Sequence, residues 1–486
     1  MKMKKEKRLD LGTIDWNCKE MKISLAALLI LGSIATLVAQ LLPPRSFFSA
    51  SQLRTCLSEI FPESNSSFLS LPSGGKVQVE QQDGRFLRRA FNPYGSAAYV
   101  FIQMGAYRGG VDTFAVVGLA SKPLHVFAKP RIECEWLPGN ASAESIRVNG
   151  TKMLPDWGYG RVYTVVVVNC TFPEAVGVDG LGGRLVLHAH HGEGEDVPPP
   201  VRIVSLTEPA GSLNVSKFTS PPEYDYLYCG SSLYGGLSPQ RIREWLAYHV
   251  KLFGKKSHFV IHDAGGIHPE VLRVFEPWVE AGYVTLQDIR AQEKFDGYYH
   301  NQFLVVNDCL HRYRFSAKWI FYFDVDEYIF VPRKSHLDSV MNSLLNYTQF
   351  TIEQMPMSSK LCLLEDYRRV RRQWGFEKLV FKDVKRGIRR DRKYAIQARN
   401  AFATGVHMSE NVIGPTTHKT EGRIMYYHYH DTIANRREPC RKFINVTELT
   451  FEGTPFALDD TMRALAPAIK RFELKTIGDR LVRTPQ

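Results

Sequence analysis

The 486 residues are 44% hydrophobic and 23% charged, with a formal net charge of +12. That much apolar material suggests two or three domains, each large enough for its own core. The positive excess asks for an anionic partner; the membrane segment at the head of the chain puts the body where nucleic acid is absent, which leaves anionic polysaccharide or nucleotide phosphates.

Lys2, Lys4, Lys5, Lys7, Arg8, Lys19 and Lys22 precede Ile23 to Leu42, an uncharged stretch of 20 residues. About 20 apolar residues span a bilayer, and positive flanks stay cytoplasmic. Residues 1–22 are therefore expected to be a cytosolic tail and 23–42 an uncleaved signal anchor of type II. The rival, a cleaved signal peptide, has a shorter apolar core and a small-residue cleavage site that is not evident here. Residues 43–84, rich in Ser, Pro and Gly, read as a stem. A lumenal body agrees with N-x-S/T sequons at Asn65, Asn140, Asn149, Asn169, Asn214, Asn346 and Asn445. It also agrees with seven cysteines beyond the membrane segment, in a compartment that permits disulfides. The odd count leaves one thiol free or pairing between two copies, which makes a homodimer one expected partner; Cys56 is the odd one by this reading.

Residues 85–216 are β-like. Strands are expected at Ala98–Gln103, Thr113–Leu119, His125–Phe127, Arg131–Trp136, Val162–Asn169, Arg184–His188 and Arg202–Leu206, with Gly, Pro and Asn between them. Short strands at such spacing predict a β-sandwich. Cys134 and Cys170 fall on two strands and are placed to tie the sheets together. Trp136, Trp157, Tyr159 and Tyr163 are candidates for stacking on sugars, against core packing for each. His188 and His190 share a strand face, a weak metal signal against a structural role.

Residues 217–486 change to an α/β pattern. Tyr224–Cys229 reads as a strand. Ser238-Pro239 opens a helix with a capping Ser and a Pro in the first turn, Ile242, Trp245, Leu246, His249 and Phe253 recur at helical spacing, and Gly254 stops it. His258–His262 is a strand ending in Asp263, and a helix follows over Glu270–Glu280. A strand near Tyr283–Gln287 precedes a helix over Tyr299–Tyr313. Then comes Trp319-Ile-Phe-Tyr-Phe323, a strand buried on both faces, followed by Asp324-Val325-Asp326. Such alternation implies a largely parallel sheet with ligands at the carboxyl ends of its strands. Two carboxylates where a buried strand surfaces need compensation, and a divalent cation that also holds a diphosphate supplies it. A solvated acidic turn is the bland alternative. Much of the positive excess lies in basic clusters at Arg368, Arg369, Arg371, Arg372 and from Lys382 to Lys393, which read either as the surface that meets the anionic partner or as a solvated helix face and a basic loop.

Glu244-Trp245, His249, Gly254 and FVIHD together resemble the galactosyltransferases of glycosyltransferase family 92. So do NQFLVVNDCLHRYRFSAKWIFYFDVDEYIF, GFEKLVFK, GVH at 405–407 and YYHYH at 426–430. The resemblance covers roughly Tyr224 to Phe443. It implies a GT-A-like, Rossmann-like catalytic domain, UDP-galactose as donor and inversion at the anomeric carbon. It also implies Mn²⁺ (or Mg²⁺) as cofactor, a β-1,4-galactan chain of pectin as acceptor and a Golgi membrane location. The β-domain is expected to resemble a carbohydrate-binding module.

In that frame Asp324 and Asp326 are the expected metal ligands, with His428 as a third and His430 and His407 as contenders. The expected general base is Asp366, with Glu365 behind it and Asp431 next. Cys229, with Gly230 and Ser231, and Asp263, Gln302 and Asp308 are expected around the donor, and Lys294 or Arg290 near phosphate. Two rivals stand: a glycoside hydrolase, which needs two carboxylates about the scissile bond, and a carbohydrate-binding or scaffold protein whose transferase domain is inactive.

Overall fold

The protein is described by a computed structural model over residues 77–485, apart from 96–98, 123–130, 141, 161, 191–198, 333–334, 369–372, 387–390, 435, 437 and 448–449. The expected tail, anchor and most of the stem lie outside the described residues, with Cys56, Asn65 and the strand expected at His125–Phe127. No helix among the described residues is long and apolar enough to cross a membrane.

Nine strands among the described residues build a sandwich. One sheet holds β3 (Asn92–Tyr94), β4 (Phe101–Arg108), β5 (Thr113–Ser121), β8 (Thr151–Met153) and β9 (Tyr163–Thr171) in the order β3-β4-β5-β9-β8. The other holds β6 (Arg131–Pro138), β7 (Ile146–Asn149), β10 (Gly183–His190) and β11 (Val201–Glu208) in the order β11-β10-β6-β7. Alternate side chains fill the space between the sheets, among them Phe114, Val116, Val166, Val168, Trp136 and Leu187. The Cys134–Cys170 disulfide joins β6 to β9 and so ties the two sheets. The valine run Tyr163–Val168 lacks a polar face because the other side of its sheet is buried too. Val117, Val165 and Val167 pack against a helix of the second part of the chain.

That second part is a large mixed sheet. Its parallel strands are β12 (Tyr224–Leu233), β13 (Ser257–Asp263), β14 (Val284–Asp288) and β15 (Ala317–Tyr322), in the order β14-β13-β12-β15. The crossover helices are α1 (Pro239–Phe253), α2 (Pro269–Glu280) and α3 (Gln302–Arg312). Tyr226, Tyr228, Phe259 and Phe321 face α1 and α2, while Leu227, Val260 and Ile320 face α3. Both faces are thus covered, as an all-parallel segment requires. At α1, the Ser238 hydroxyl accepts the Arg241 N–H at 3.3 Å and Gly254 ends the helix at φ 79°. The expected start of α3 at Tyr299 is three residues early, because Tyr299, His300 and Asn301 have φ of 51°, 53° and 55°.

Beyond β15 the sheet continues with β20 (Arg392–Ile396), β17 (Gln349–Pro356), β21 (Met425–His428) and β16 (Glu327–Phe330). Between them in sequence lie α4 (Leu337–Ser343), β18 (Leu361–Leu363), α5 (Gly375–Lys378) and β19 (Phe381–Asp383), and α6 (Ala466–Ile477) closes the described chain. At the far edge sit β1 (Gln81–Asp83) and β2 (Phe86–Arg88), with β2 parallel to β14. Phe86–Arg88, read as the start of the β-domain, therefore pairs with the other sheet. The sandwich enters between two strands of the larger sheet, and Lys76–Gln486 forms one unit.

Candidate functional site

The parallel strand order reverses between β12 and β15, and at such a switch point the loops diverge and leave a crevice. A cleft of about 280 Å³ opens there. Ser231, Ser232, Leu233 and Tyr234 line it from the end of β12, and Asp324 to Glu327 from the end of β15. Gln354, Lys393, Tyr426 and His428 come from the neighbouring strands, and Tyr299, His407, His430 and Asp431 from loops.

Three ligand-bearing side chains converge in it. One ligand atom from each of Asp326, His428 and His430 lies within 4.8 Å of the others. His428 Nε2 is 3.6 Å from Asp326 Oδ1, and His430 Nδ1 is 3.3 Å from His428 Nε2. The Gln354 amide holds the His428 ring through Nδ1, so Nε2 faces the cluster. Burial alone would lower the His428 pKa, but the Asp326 carboxylate beside it and the charge of Glu327 raise it overall. His428 ends β21 and His430 follows two positions on in a turn, and both rings reach the same cluster.

Asp324 does something different. Its Oδ2 is 2.6 Å from Lys393 Nζ, and Gln302 Nε2 is 3.4 Å from Oδ1. Burial would raise the Asp324 carboxyl, yet the Lys393 ammonium outweighs it and holds the pKa below the ordinary value. Glu327 accepts the Asp324 N–H at 2.7 Å and lies 3.6 Å from Lys393 Nζ. It is 1% exposed, and burial pushes its pKa up to about 7. Of the expected metal residues, then, the structure brings Asp326, His428 and His430 together, pairs Asp324 with Lys393, and puts His407 on the cleft wall with Nδ1 3.0 Å from the Arg392 carbonyl.

Other expected residues are placed elsewhere. Asp366 is 5% exposed and bonded to Arg463 at 2.5 Å, and neither it nor the exposed Glu365 lines the cleft. Burial needs a partner charge, and Arg463 supplies it. Cys229 is fully buried in a disulfide with Cys309 and cannot touch a donor. Asp308 is fully buried beneath the sandwich, where Arg89 Nη2 donates to it at 2.8 Å and Tyr107 Oη at 2.5 Å. Burial would raise its pKa, but the Arg89 charge holds it near about 2. Asp263 accepts the N–H of Gly265 at 2.9 Å and of Ile267 at 3.0 Å, which shapes the turn after β13. Arg290 is clamped by Asp288, and Lys294 is exposed. His188 and His190 are hydrogen-bonded to Glu135 at 2.8 Å and Glu133 at 3.1 Å on the adjoining strand, a structural arrangement rather than a metal site. Trp136 and Tyr163 are core residues, whereas Trp157 and Tyr159 are exposed. Asn140, Asn149, Asn214, Asn346 and Asn445 are exposed and Asn169 half-buried.

Sequence reasoning missed Lys393, Glu327 and Gln354. Lys393 was hidden in a basic run; its signal was the apolar Tyr394-Ala-Ile396 that follows, which makes a strand there and buries the lysine stem.

Residues 224–464 match the sequence model of Glycosyltransferase family 92. The chain is 52% identical over 505 residues to galactan beta-1,4-galactosyltransferase GALS3 of Arabidopsis thaliana, covering 99% of this chain and 98% of that protein. It is 53% identical over 503 residues to GALS2 of the same name and organism, covering 97% and 96%. Beta-1,4-galactosyltransferase galt-1 of Caenorhabditis elegans is 24% identical over 291 residues, covering 55% and 61%.

Proposed function

The chain belongs to glycosyltransferase family 92, and from that premise we propose that it transfers galactose from UDP-galactose to the end of a β-1,4-galactan chain, with inversion at the anomeric carbon. The observation that carries this is the convergence of Asp326, His428 and His430 at the switch-point cleft. The order of the four parallel strands supports a GT-A-like reading of the α/β part. The basic head and the apolar stretch 23–42 support a type II membrane protein with its body in the lumen; a Golgi location rests on the family resemblance alone.

One carboxylate and two imidazoles, each reachable from the cleft, suit a divalent first-row ion such as Mn²⁺. Asp326, His428 and His430 would hold it, and when bound it would act as a Lewis acid on the departing diphosphate. Lys393 lies one side chain away behind Asp324 and adds fixed positive charge toward the same region. Gln302 and Lys393 fix the Asp324 carboxylate, so it enters the reaction already oriented.

In the transfer, the acceptor hydroxyl oxygen bonds to C1 of galactose. The bond from C1 to the UDP oxygen breaks, and its electron pair leaves with the diphosphate. The hydroxyl proton needs a base open to the acceptor. With Asp366 held by Arg463, we assign that role to Asp431, which lines the cleft with its side chain 69% exposed and 3.5 Å from His430. Its φ of 58° turns the chain sharply after the histidine pair.

The test is UDP release by the full-length protein from UDP-galactose and Mn²⁺, with and without a β-1,4-galactan oligomer. Release that requires both acceptor and ion, with a lengthened oligomer as product, is expected. Shortening of galactan without nucleotide would indicate a hydrolase. Binding of galactan with no release would indicate a scaffold.

A further inference from the structure

Five aromatic side chains are exposed among the described residues, and four of them sit together: Trp157 at 58%, Tyr159 at 62%, Tyr298 at 42% and Tyr299 at 58%. Trp157 and Tyr159 come from a loop of the sandwich; Tyr298 and Tyr299 precede α3. Ring centroids run from Trp157 to Tyr159 at 6.1 Å, to Tyr298 at 5.7 Å, to Tyr299 at 6.2 Å and on to Tyr234 at 5.9 Å. Tyr299 and Tyr234 are walls of the catalytic cleft. The row is therefore continuous with the site and leads out of it onto the β-domain.

The row is held in place at cost. Trp157 and Tyr299 have φ of 49° and 51°, a region that bulky residues rarely occupy. Such strain persists where the surroundings over-determine it, and it gathers at functional sites. The surroundings are visible. The buried Asp156 carboxylate accepts the Thr164 hydroxyl at 2.6 Å and the N–H groups of Val165 and Gly158 at 3.0 and 3.1 Å, which anchors the sandwich loop. The Trp157 indole N–H donates to Glu410 at 3.2 Å, fixing the ring.

We propose that these aromatic rings are the track for the acceptor chain, carrying its older residues from the cleft across to Trp157. The inference rests on the galactan reading above and specifies where the acceptor lies. Flat faces with polar rims suit pyranose rings, which offer C–H groups on one side and hydroxyls at the edge. The Glu410 carboxylate beside Trp157 favours a neutral polysaccharide over an acidic one. A short acceptor reaches only Tyr234 and Tyr299, whereas a long one reaches Tyr159 and Trp157 as well. The track thus raises the effective concentration of long chains at the cleft.

The test uses the full-length enzyme and the variants Trp157→Ala, Tyr159→Ala, their double and Trp157→Phe. KM is measured for galactan oligomers from two residues to beyond eight. For long oligomers, each alanine should raise KM by about tenfold, the scale of truncating one aromatic anchor. KM for the shortest oligomer, KM for UDP-galactose and kcat should stay unchanged, which also shows the variants are folded. Trp157→Phe should recover most of the loss. An equal effect on short and long oligomers, or none on long ones, overturns the track. If the unmodified enzyme transfers no galactose, the function proposed above fails, and the track is then judged by calorimetric binding of the long oligomer. Binding weakened by Trp157→Ala sustains the track, and unchanged binding rejects it.

Discussion

At the scale of single residues, two acids only two positions apart have different work. Asp326 faces two imidazoles, and Asp324 faces an ammonium. Asp326→Asn should therefore lower kcat by at least about 100-fold, as removal of a transition-state charge stabiliser does, with the melting temperature little changed. His430→Ala should weaken activation by Mn²⁺, read as a higher ion concentration for half-maximal rate. Asp324→Asn should cost stability as well as activity. It leaves Lys393, only 5% exposed at its side chain, with Glu327 as its main partner. Breaking a buried pair costs roughly 3–5 kcal/mol, less here because the Asp324 side chain is 34% exposed. Urea unfolding of the two variants separates these cases. The acids at the end of a buried strand were legible in the sequence, because a carboxylate pair has few reasons to follow five apolar residues; the late histidines were legible only through the resemblance to family 92. Their partners were not. Lys393 and Arg463 meet Asp324 and Asp366 across 69 and 97 residues of chain, and a contact that distant leaves no local pattern.

At the scale of elements, α3 holds the two parts of the body together. Its Phe303, Leu304 and Val305 pack under the sandwich, its Val306, Cys309 and Leu310 pack on the parallel sheet, and Cys309 is bonded to Cys229 of β12. Asp308 on the same helix bonds to Arg89, just after β2. Both side chains have no exposure, so Arg89→Met leaves a buried carboxylate without its main partner. The expected loss is roughly 3–5 kcal/mol, measured as a lower urea midpoint. The double change Arg89→Met with Asp308→Leu should recover part of it. The helices and strands from Tyr224 to Asp326 were legible because period 3.6 and buried runs alternate with clear stops. The short strands β1 and β2 were not, since three residues carry no period. The polar appearance of Asp308 also misled, because its partner comes from a segment more than 200 residues earlier.

At the scale of the whole molecule, buried neutral histidines set the response to acid. Burial lowers the pKa of His249 to about 3, His262 to about 4 and His311 to about 3. Unfolded histidine titrates near about 6.5. Between that value and 3–4 these three groups bind more protons in the unfolded chain than in the folded one, so their contribution is full above about 6.5 and falls as pH drops, while Glu327, raised to about 7, works the other way as a single group and offsets only part of the loss. Each such group contributes a slope of up to about 1.4 kcal/mol per pH unit. The carboxyls of Asp308 and Glu135, both held down to about 2 by their partners, add a further loss once pH falls below about 4. Urea midpoints at pH 7.5, 6, 5 and 4 should decline steadily below 6.5; a flat profile to pH 4 would contradict the burial of these rings as neutral groups.

Asp326, His428 and His430 are proposed to hold the ion that receives the nucleotide. A crystal of the protein with UDP and Mn²⁺, read by anomalous scattering from the manganese, tests it most directly. One strong manganese peak is expected within bonding distance of those three side chains and of the diphosphate. A peak elsewhere, with Asp326 and the two histidines still packed against one another, would contradict it.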